Sequence, residues 1–594
     1  MLIPDWLGRR AIDRPASPAL IVGLQSWSYA ELDARAAALA QRLAALGVRQ
    51  GDRVGTLLRN GPHVAVAVHA LIRLGAILVP LNLRLAESEI AWQIRRAGVG
   101  LLLHDEDMAR IVGIEVPWHF LPRLEQEEAS AASDLAHLQE PSSVDEVGDQ
   151  VPSGVGKPGR VDPPGLAAAS GYGDGRSPVT GLRTRIDLDL PHCLIYTSGT
   201  TGRPKGVLLS YGNHWWGATG SVLTLGLRED DRWLACLPPF HIGGLSILLR
   251  AAIYGIPVVF PDPPGGHFDP SLVARAIEGQ RATIVSLVGA QLTRMLEVPE
   301  RGWEAALRCV LLGGGPAPRP LLEACAARGI AVAQSYGLTE ACSQVATLAT
   351  RDALRKLGSA GQPLLPTEIR IAPMAQPADG NSEAQGRTAV RPYAEADTFV
   401  GAHRGAPTPV AGTASGTAEP GATTTPDPID GDDAPPVPLR DHMPGEILVR
   451  GPTISPGYLP PEGEGMATLA VTDAEGWLHT GDIGYLDAEG YLYVLDRRTD
   501  LIISGGENIY PAEVEAVLLA HPAVSEAGVY GIPDPVWGRR AAAAVVPRPG
   551  MEIDEEELLA FCRERLARYK VPARVEVRQS LPRNASGKLL RRLL

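Results

Sequence analysis

Cysteine is sparse in this chain of 594 residues, and basic residues are outnumbered by acidic ones. The six cysteines (Cys193, Cys236, Cys309, Cys325, Cys342 and Cys562) are scattered, with no C-x-x-C pair and no metal-ligand spacing. That excludes a disulfide scaffold and reads as reduced, buried thiols of a cytoplasmic protein. With 55 Lys and Arg against 68 Asp and Glu, the net charge of -13 argues against a general nucleic-acid binder, which carries a basic face. No unbroken apolar run is long enough to span a bilayer, because the most hydrophobic window, around 64–81, is interrupted by His69 and Arg73. Asp5 precedes any apolar run, so no signal peptide and no stable membrane insertion are expected. At 45% apolar, the chain can bury large cores, and its length calls for two or more domains.

Two stretches lack the apolar surface to fold. Residues from about 125 to 184 are rich in Ser, Gly, Pro, Asp and Glu, and those from about 373 to 442 in Pro, Thr, Ala and Gly. Both are expected to be disordered insertions in a large domain, residues 1–496, followed by a small domain, residues 497–594. Elsewhere apolar runs alternate with helical patterns. Ser28-x-x-Glu31 is a capping box ahead of Leu32, Ala36, Leu39 and Leu43, with Gly47 as the stop.

Four apolar runs each empty into a motif. LIYT leads to the Gly/Thr-rich stretch within Tyr196–Val207 (YTSGTTGRPKGV), and WLACLP leads to Pro239-Phe240-His241-Ile242-Gly243-Gly244. CVLL leads to Gly313-Gly314-Gly315-Pro316, and IAVAQS to Tyr336-Gly337-Leu338-Thr339-Glu340. Parallel sheets bind ligands beyond the carboxyl ends of their strands, so all four motifs are expected at one edge around one site. In the first, backbone N–H groups, the hydroxyls of Thr197, Ser198, Thr200 and Thr201, and the Lys205 ammonium suit an anion, and Gly199 and Gly202 let the main chain approach it. It departs from the P-loop pattern, since Gly206 follows the lysine. A mobile surface turn is the alternative reading. Farther on, Tyr485–Leu486 and Tyr491–Leu495 read as a hairpin turning at 487–490, and Pro511 as a helix start.

YTSGTTGRPKGV, SYGLTE, HTGDIGYLDAEGYLYVLDRRTD, ISGGENIYP and PRNASGK, in that order, resemble the motifs of the adenylate-forming superfamily of acyl-CoA synthetases, adenylation domains and luciferases. Within it, PPFHIGGLSILLRAAIYG, LLGGGPAPRPLLE, KLGSAGQPL and DRRTDLIISGGENIYPAEVE are most similar to the succinylbenzoate–CoA ligases of menaquinone biosynthesis. The resemblance implies a large α/β domain of parallel-sheet subdomains plus a small β-barrel-like subdomain, and a small mobile α+β C-terminal domain. It implies a ligase that joins a carboxylic acid to AMP and passes the acyl group to CoA, with ATP and CoA as substrates and Mg²⁺ required. Another acyl or aryl acid, or a carrier protein in place of CoA, are alternatives, as is a non-catalytic scaffold; a homo-oligomer is left open.

By that resemblance Lys588 reaches the α-phosphate and the substrate carboxylate; alternatively it belongs to a solvated basic tail. Thr339 touches the α-phosphate, Glu340 holds Mg²⁺, and Thr197–Lys205 grips the β- and γ-phosphates; Thr339–Glu340 also reads as a helix N-terminus. Tyr336 lies against adenine beside Gly313, Gly314 and Gly315. Asp482 takes the ribose hydroxyls with Arg497 as helper. His241 lines the acyl pocket, in a substrate-binding rather than proton-transfer role. Arg250 either pairs with a second substrate carboxylate or is a solvent-facing helix charge. Gly505 and Gly506 face the CoA channel, and residues 496–500 form the hinge. Thr499 and Gly243 depart from the family pattern, which has Asp or Lys and Ser there.

Overall fold

The structure is a computed structural model that describes residues 1–104, 118–120, 181–197, 204–265, 268–298, 302–315, 317, 319–373, 443–460, 468–497, 500–504, 507–534, 537–566, 568–583 and 589–594. The expected insertions lie outside these residues, apart from their edges. At one edge, Leu182 and Arg183 are buried, and the Arg183 amide donates to the Arg73 carbonyl at 3.0 Å.

Two large sheets organise the chain. In the first, Trp118–Phe120, Leu101–His104, Arg53–Leu57, Ile77–Pro80 and Pro191–Thr197 lie side by side and parallel. Lys205–Ser210 and Gly457–Tyr458 extend it antiparallel. In the second, Pro18–Val22, Val258–Phe260, Trp233–Leu234, Ile284–Val288, Cys309–Gly313 and Val332–Leu338 run parallel in that spatial order. Gln25–Ser28 closes one edge, and Ser343–Thr347 with Gln362–Pro363 the other, all antiparallel.

Strand side chains alternate between faces. Val258 and Leu311 therefore join one core while Val259 and Val310 join another on the far side. The first of these cores also takes in Val54, Leu78 and Ile195 of the other sheet, so it joins the two sheets. The helices Pro62–Leu74 and Ile242–Tyr254 lie within it and are buried over nearly their whole circumference, as their almost uninterrupted apolar sequences require. The capping box at Ser28 is present, with each partner bonded to the other's backbone, and Leu32, Ala36, Leu39 and Leu43 line the buried face of the helix Tyr29–Ala45.

The third sheet, Glu368–Pro373, Gly445–Arg450, Leu478–Leu486 and Leu492–Arg497, is antiparallel and open. Where a barrel-like subdomain is expected the chain forms an open sheet, because the outer strands Glu368–Pro373 and Leu492–Arg497 do not pair with each other; among the described residues no sheet closes into a barrel. A small unit follows. Val524–Asp534 pairs antiparallel with Gly538–Pro547, which pairs parallel with Val575–Val577. The helices Pro511–Leu519 and Glu555–Arg563 pack on it through Val514, Leu518, Leu558 and Cys562, a core separate from those of the large domain. Among the described residues no helix is long and apolar enough to cross a membrane.

Candidate active site

Three of the four motifs fall at the carboxyl edge of the nine-stranded sheet: they follow Trp233–Leu234, end Cys309–Gly313 and end Val332–Leu338. The Gly/Thr stretch does not. It joins Pro191–Thr197 to Lys205–Ser210, neighbouring antiparallel strands of the other sheet, so it is a hairpin connection. The chain returns as a strand because Val207 and Leu209 are fully buried, and the next helix, Tyr211–Leu225, starts only at Ser210, whose hydroxyl caps it. Ser198, Gly199, Thr200, Thr201 and Gly202 lie outside the described residues. The Thr197 hydroxyl faces the Lys205 carbonyl at 3.5 Å across the base of the hairpin.

A cleft of about 1020 Å³ gathers the other motifs. One wall is Pro238–Gly244. His241 is the N-cap of the helix Ile242–Tyr254, its ring set edge-on to Phe240 with centroids 4.7 Å apart. Its Nε2 has no hydrogen-bond partner among the described residues, and burial, with same-sign repulsion from Arg84, pulls its pKa down from 6.5 to about 4. At neutral pH the ring is therefore uncharged, and its Nε2 is left to hydrogen-bond whatever occupies the cleft. A Cβ at Gly244 would sit 2.1 Å from the Pro238 carbonyl oxygen, so no side chain fits there. At Gly243 the nearest atom to a Cβ is Leu237 Cδ1, at 3.4 Å, so this departure from the family pattern is not forced by space.

Arg250 is not a solvent-facing charge. It is 4% exposed, lines the cleft and donates to Gln344 Oε1 at 2.5 Å, while Gln344 Nε2 donates to Thr347 Oγ1 at 2.7 Å. Gln334, also lining the cleft, has no partner for Nε2 among the described residues. Asn60 reaches the same cleft and donates to the Ala235 carbonyl at 2.8 Å.

The Gly-rich and Tyr336–Thr339 motifs line the same cleft. Gly313, Gly314 and Gly315 border the cleft, and Gly314 has φ +82°, a left-handed conformation that glycine takes without strain. A Cβ at Gly337 would lie 1.7 Å from the Ser343 carbonyl oxygen, so the bulge between Tyr336 and Gly337 requires glycine. Tyr336 donates its hydroxyl to Asp482 Oδ2 at 2.7 Å, joining two residues assigned to adenine and ribose across 146 positions of sequence. Asp482 is 7% exposed, and Arg497 is its direct cross-strand partner in the backbone register; the Arg497 side chain is outside what the structure describes.

Thr339 and Glu340 open a short 3₁₀ helix, Thr339–Ala341, with Glu340 in its first turn; Leu338 and not Thr339 stands at the cap, so Thr339 is not its capping residue. Tyr458, which sequence reading passed over, donates to Glu340 Oε1 at 2.8 Å. Its strand pairs with Lys205–Ser210, and the Lys205 ammonium lies 5.2 Å from the centre of its ring. The Glu340 carbonyl accepts from the Ser455 amide at 2.7 Å. Tyr458 thereby links the hairpin lysine to the carboxylate. Only Gly457 and Tyr458, just past a Pro/Ser turn, marked the place in the sequence.

Lys588 lies outside the described residues, as do Gly505, Gly506 and Thr499. The residues flanking Lys588 are described: Arg583 and Leu589 form an antiparallel bridge, and both line the cleft, with Arg591. Arg583 Nη2 is 2.5 Å from Glu526 Oε2. Arg591 bonds Glu515 at 2.7 and 2.9 Å and Asp500 at 2.9 Å, tying the end of the chain to the first helix of the small domain and to the segment that leads into it.

The AMP-binding enzyme family profile matches residues 7–387, and that of the AMP-binding enzyme C-terminal domain matches residues 513–588. The chain belongs to the AMP-binding enzyme family. A 2-succinylbenzoate–CoA ligase of Geobacillus kaustophilus is 42% identical over 594 residues, covering 100% of this chain and 97% of that one. The fold is similar to that of o-succinylbenzoate CoA synthetase (MenE) from Bacillus subtilis in complex with the acyl-adenylate intermediate OSB-AMP. The TM-score is 0.74 at 37% identity, covering 100% of this chain and 98% of that one. The same enzyme in complex with ATP and magnesium ion gives 0.73 at 37% identity, covering 100% and 99%.

Proposed function

We propose that this chain is an ATP- and CoA-dependent acid–thiol ligase that converts 2-succinylbenzoate to its CoA thioester by way of the acyl-adenylate. The observation that carries the reading is the shared cleft. The acyl wall at His241, the Tyr336–Asp482 pair and both ends of the Lys588 loop all line it. Full-length likeness to 2-succinylbenzoate–CoA ligases supports the choice of acid.

In the first half-reaction the substrate carboxylate attacks the α-phosphorus of ATP and pyrophosphate leaves. In the second the CoA thiol, losing its proton, attacks the acyl carbon and AMP leaves. Asp482 and Tyr336 hold the nucleoside, with Gly313, Gly314 and Gly315 at its edge. Glu340 offers a hard carboxylate oxygen that fits Mg²⁺, which when bound neutralises phosphate charge. Thr339 and the hairpin 197–205 bind the phosphates. Two anions meet at the reacting atoms, so a positive charge must be placed there, and Lys588 supplies it. Arg250, held on Gln344 at the buried end of the acyl pocket, faces the second carboxylate of the diacid. Rotation of the small domain about residues 496–500 then removes Lys588 and brings Gly505 and Gly506 to the thiol path.

ATP–pyrophosphate exchange with a panel of carboxylic acids tests the reading. Exchange is expected with 2-succinylbenzoate and not with medium-chain or simple aryl acids. Good exchange with those acids and none with succinylbenzoate would overturn the substrate; none with any acid would overturn the ligase.

A further inference from the structure

The strand that leads into the Gly/Thr hairpin carries His192 and Cys193, and the helix Tyr211–Leu225 turns His214 toward them. None of the three lines the active-site cleft. His192 and Cys193 are 0% exposed and His214 4%. Cys193 Sγ is 3.4 Å from His214 Nε2, and the His192 ring stands edge-on to that of His214 with centroids 4.7 Å apart. One ligand atom from each residue lies within 4.8 Å of the others. Neither ring nitrogen of His192 has a hydrogen-bond partner among the described residues. A buried imidazole left so is an unmet demand for a partner, which a bound ion would meet.

We infer that His192, Cys193 and His214 form a buried site for a soft monovalent metal ion, cuprous copper being the physiological one. Ligand atoms around an ion with bonds of roughly 2.0–2.3 Å stand about 3.5 Å apart. The Cys193–His214 pair is already at that spacing, and a small turn of His192 brings in the third donor. Thiolate and imidazole are the donors that soft ions select. Charge decides against a divalent ion. The set holds one ionisable thiol and no carboxylate, and the neighbouring Arg250 is positive. Cys193 would lose its proton to solvent as the sulfur–metal bond forms, with no change of oxidation state. A monovalent ion on that thiolate is then neutral, whereas zinc would leave a net charge where water does not reach. Cys342 acts at the back of the site. Its sulfur is 3.3 Å from His214 Nδ1, so with the ring proton on Nδ1 it takes that N–H and Nε2 is the lone-pair nitrogen facing Cys193. The distance in sequence hid the cluster: Cys193 and His214 are 21 residues apart and Cys342 lies a further 128 beyond His214.

The test is anaerobic titration of the full chain with Cu(I) against bicinchoninate, with the thiolate-to-copper absorption as second readout. A single tightly held Cu(I) per chain is expected. Cys193→Ser should abolish it together with the absorption band, and Cys342→Ala should weaken it by about tenfold to a hundredfold, the usual effect of losing a ligand's outer partner. His192→Gln, milder to the fold, should weaken it at least as much as Cys342→Ala. Cys309→Ala, elsewhere in the core, should leave it unchanged. The inference is overturned if the chain yields all its Cu(I) to the chelator, if Cys193→Ser or His192→Gln binds as the unaltered chain does, or if Zn²⁺ displaces Cu(I).

Discussion

Replacing Tyr458 by Phe removes one hydroxyl and keeps the ring beside Lys205. The hydroxyl donates to Glu340 Oε1 at 2.8 Å, a bond to a charged acceptor. Such bonds contribute roughly 1.5–3 kcal/mol, and Glu340 is half-buried, so the lower end applies. About 1.5 kcal/mol is roughly a tenfold change in an equilibrium constant. The freed carboxylate gains rotamers, so the loss should appear as a weaker grip on magnesium nucleotide. The assay is ATP–pyrophosphate exchange at saturating acid across a range of Mg²⁺ concentrations. Tyr458→Phe should raise the Mg²⁺ concentration needed for half-maximal exchange about tenfold, with the maximal rate little altered. An unchanged Mg²⁺ requirement together with a reduced maximal rate would refute the reasoning, because Tyr458 would then act on the chemistry and not on Glu340.

Lys588→Ala should slow acyl-adenylate formation by roughly two to three orders of magnitude, the scale for losing one transition-state charge stabiliser, and spare thioester formation from supplied acyl-adenylate; equal loss in both steps would contradict rotation of the small domain. Gly244→Ala should abolish acid-dependent exchange, because its Cβ meets the Pro238 carbonyl, whereas Gly243→Ser should keep it; stopped exchange in Gly243→Ser, or full exchange in Gly244→Ala, would contradict the contact geometry. Acid should destabilise the fold. Burial holds His69 at a pKa of about 3 against 6.5 in the unfolded chain. The unfolded state therefore takes up a proton first, and stability falls as pH drops from 6.5 toward 3. The slope is about 1.4 kcal/mol per pH unit, or about 2 kcal/mol by pH 5. Urea unfolding at pH 7 and pH 5 measures this, and His69→Leu should lose less stability between the two; the same loss in both proteins would show that His69 is not the source.

The elements that sequence rendered clearly were those with a local cause. The capping box, the hairpin at 487–490, Pro511 and the apolar strands depend on neighbours along the chain, and each forms where expected. What depended on distant partners was harder to see. Lys205–Val207 belongs in sequence to the Gly/Thr-rich motif, yet it opens a strand that runs to Ser210, because Val207 and Leu209 find a core. For Arg250 sequence leaves two readings, a partner for a substrate carboxylate or a solvent-facing helix charge, and the second is removed only by burial and by Gln344, 94 residues on, whose Oε1 accepts its N–H. Tyr458 carries no motif of its own, and its role follows from strand pairing that no local pattern encodes. The Tyr336–Asp482 bond joins two motifs that sequence assigned separately to one nucleoside.

Oxygen transfer tests the activation step most directly. If 2-succinylbenzoate labelled with ¹⁸O in its carboxylates is given with ATP and CoA, the attacking oxygen becomes the bridge of the acyl-adenylate and stays with the nucleotide when the thiol takes the acyl group. Mass analysis should find AMP carrying a single ¹⁸O and pyrophosphate carrying none. Label in inorganic phosphate, ADP as product, or unlabelled AMP would contradict the account.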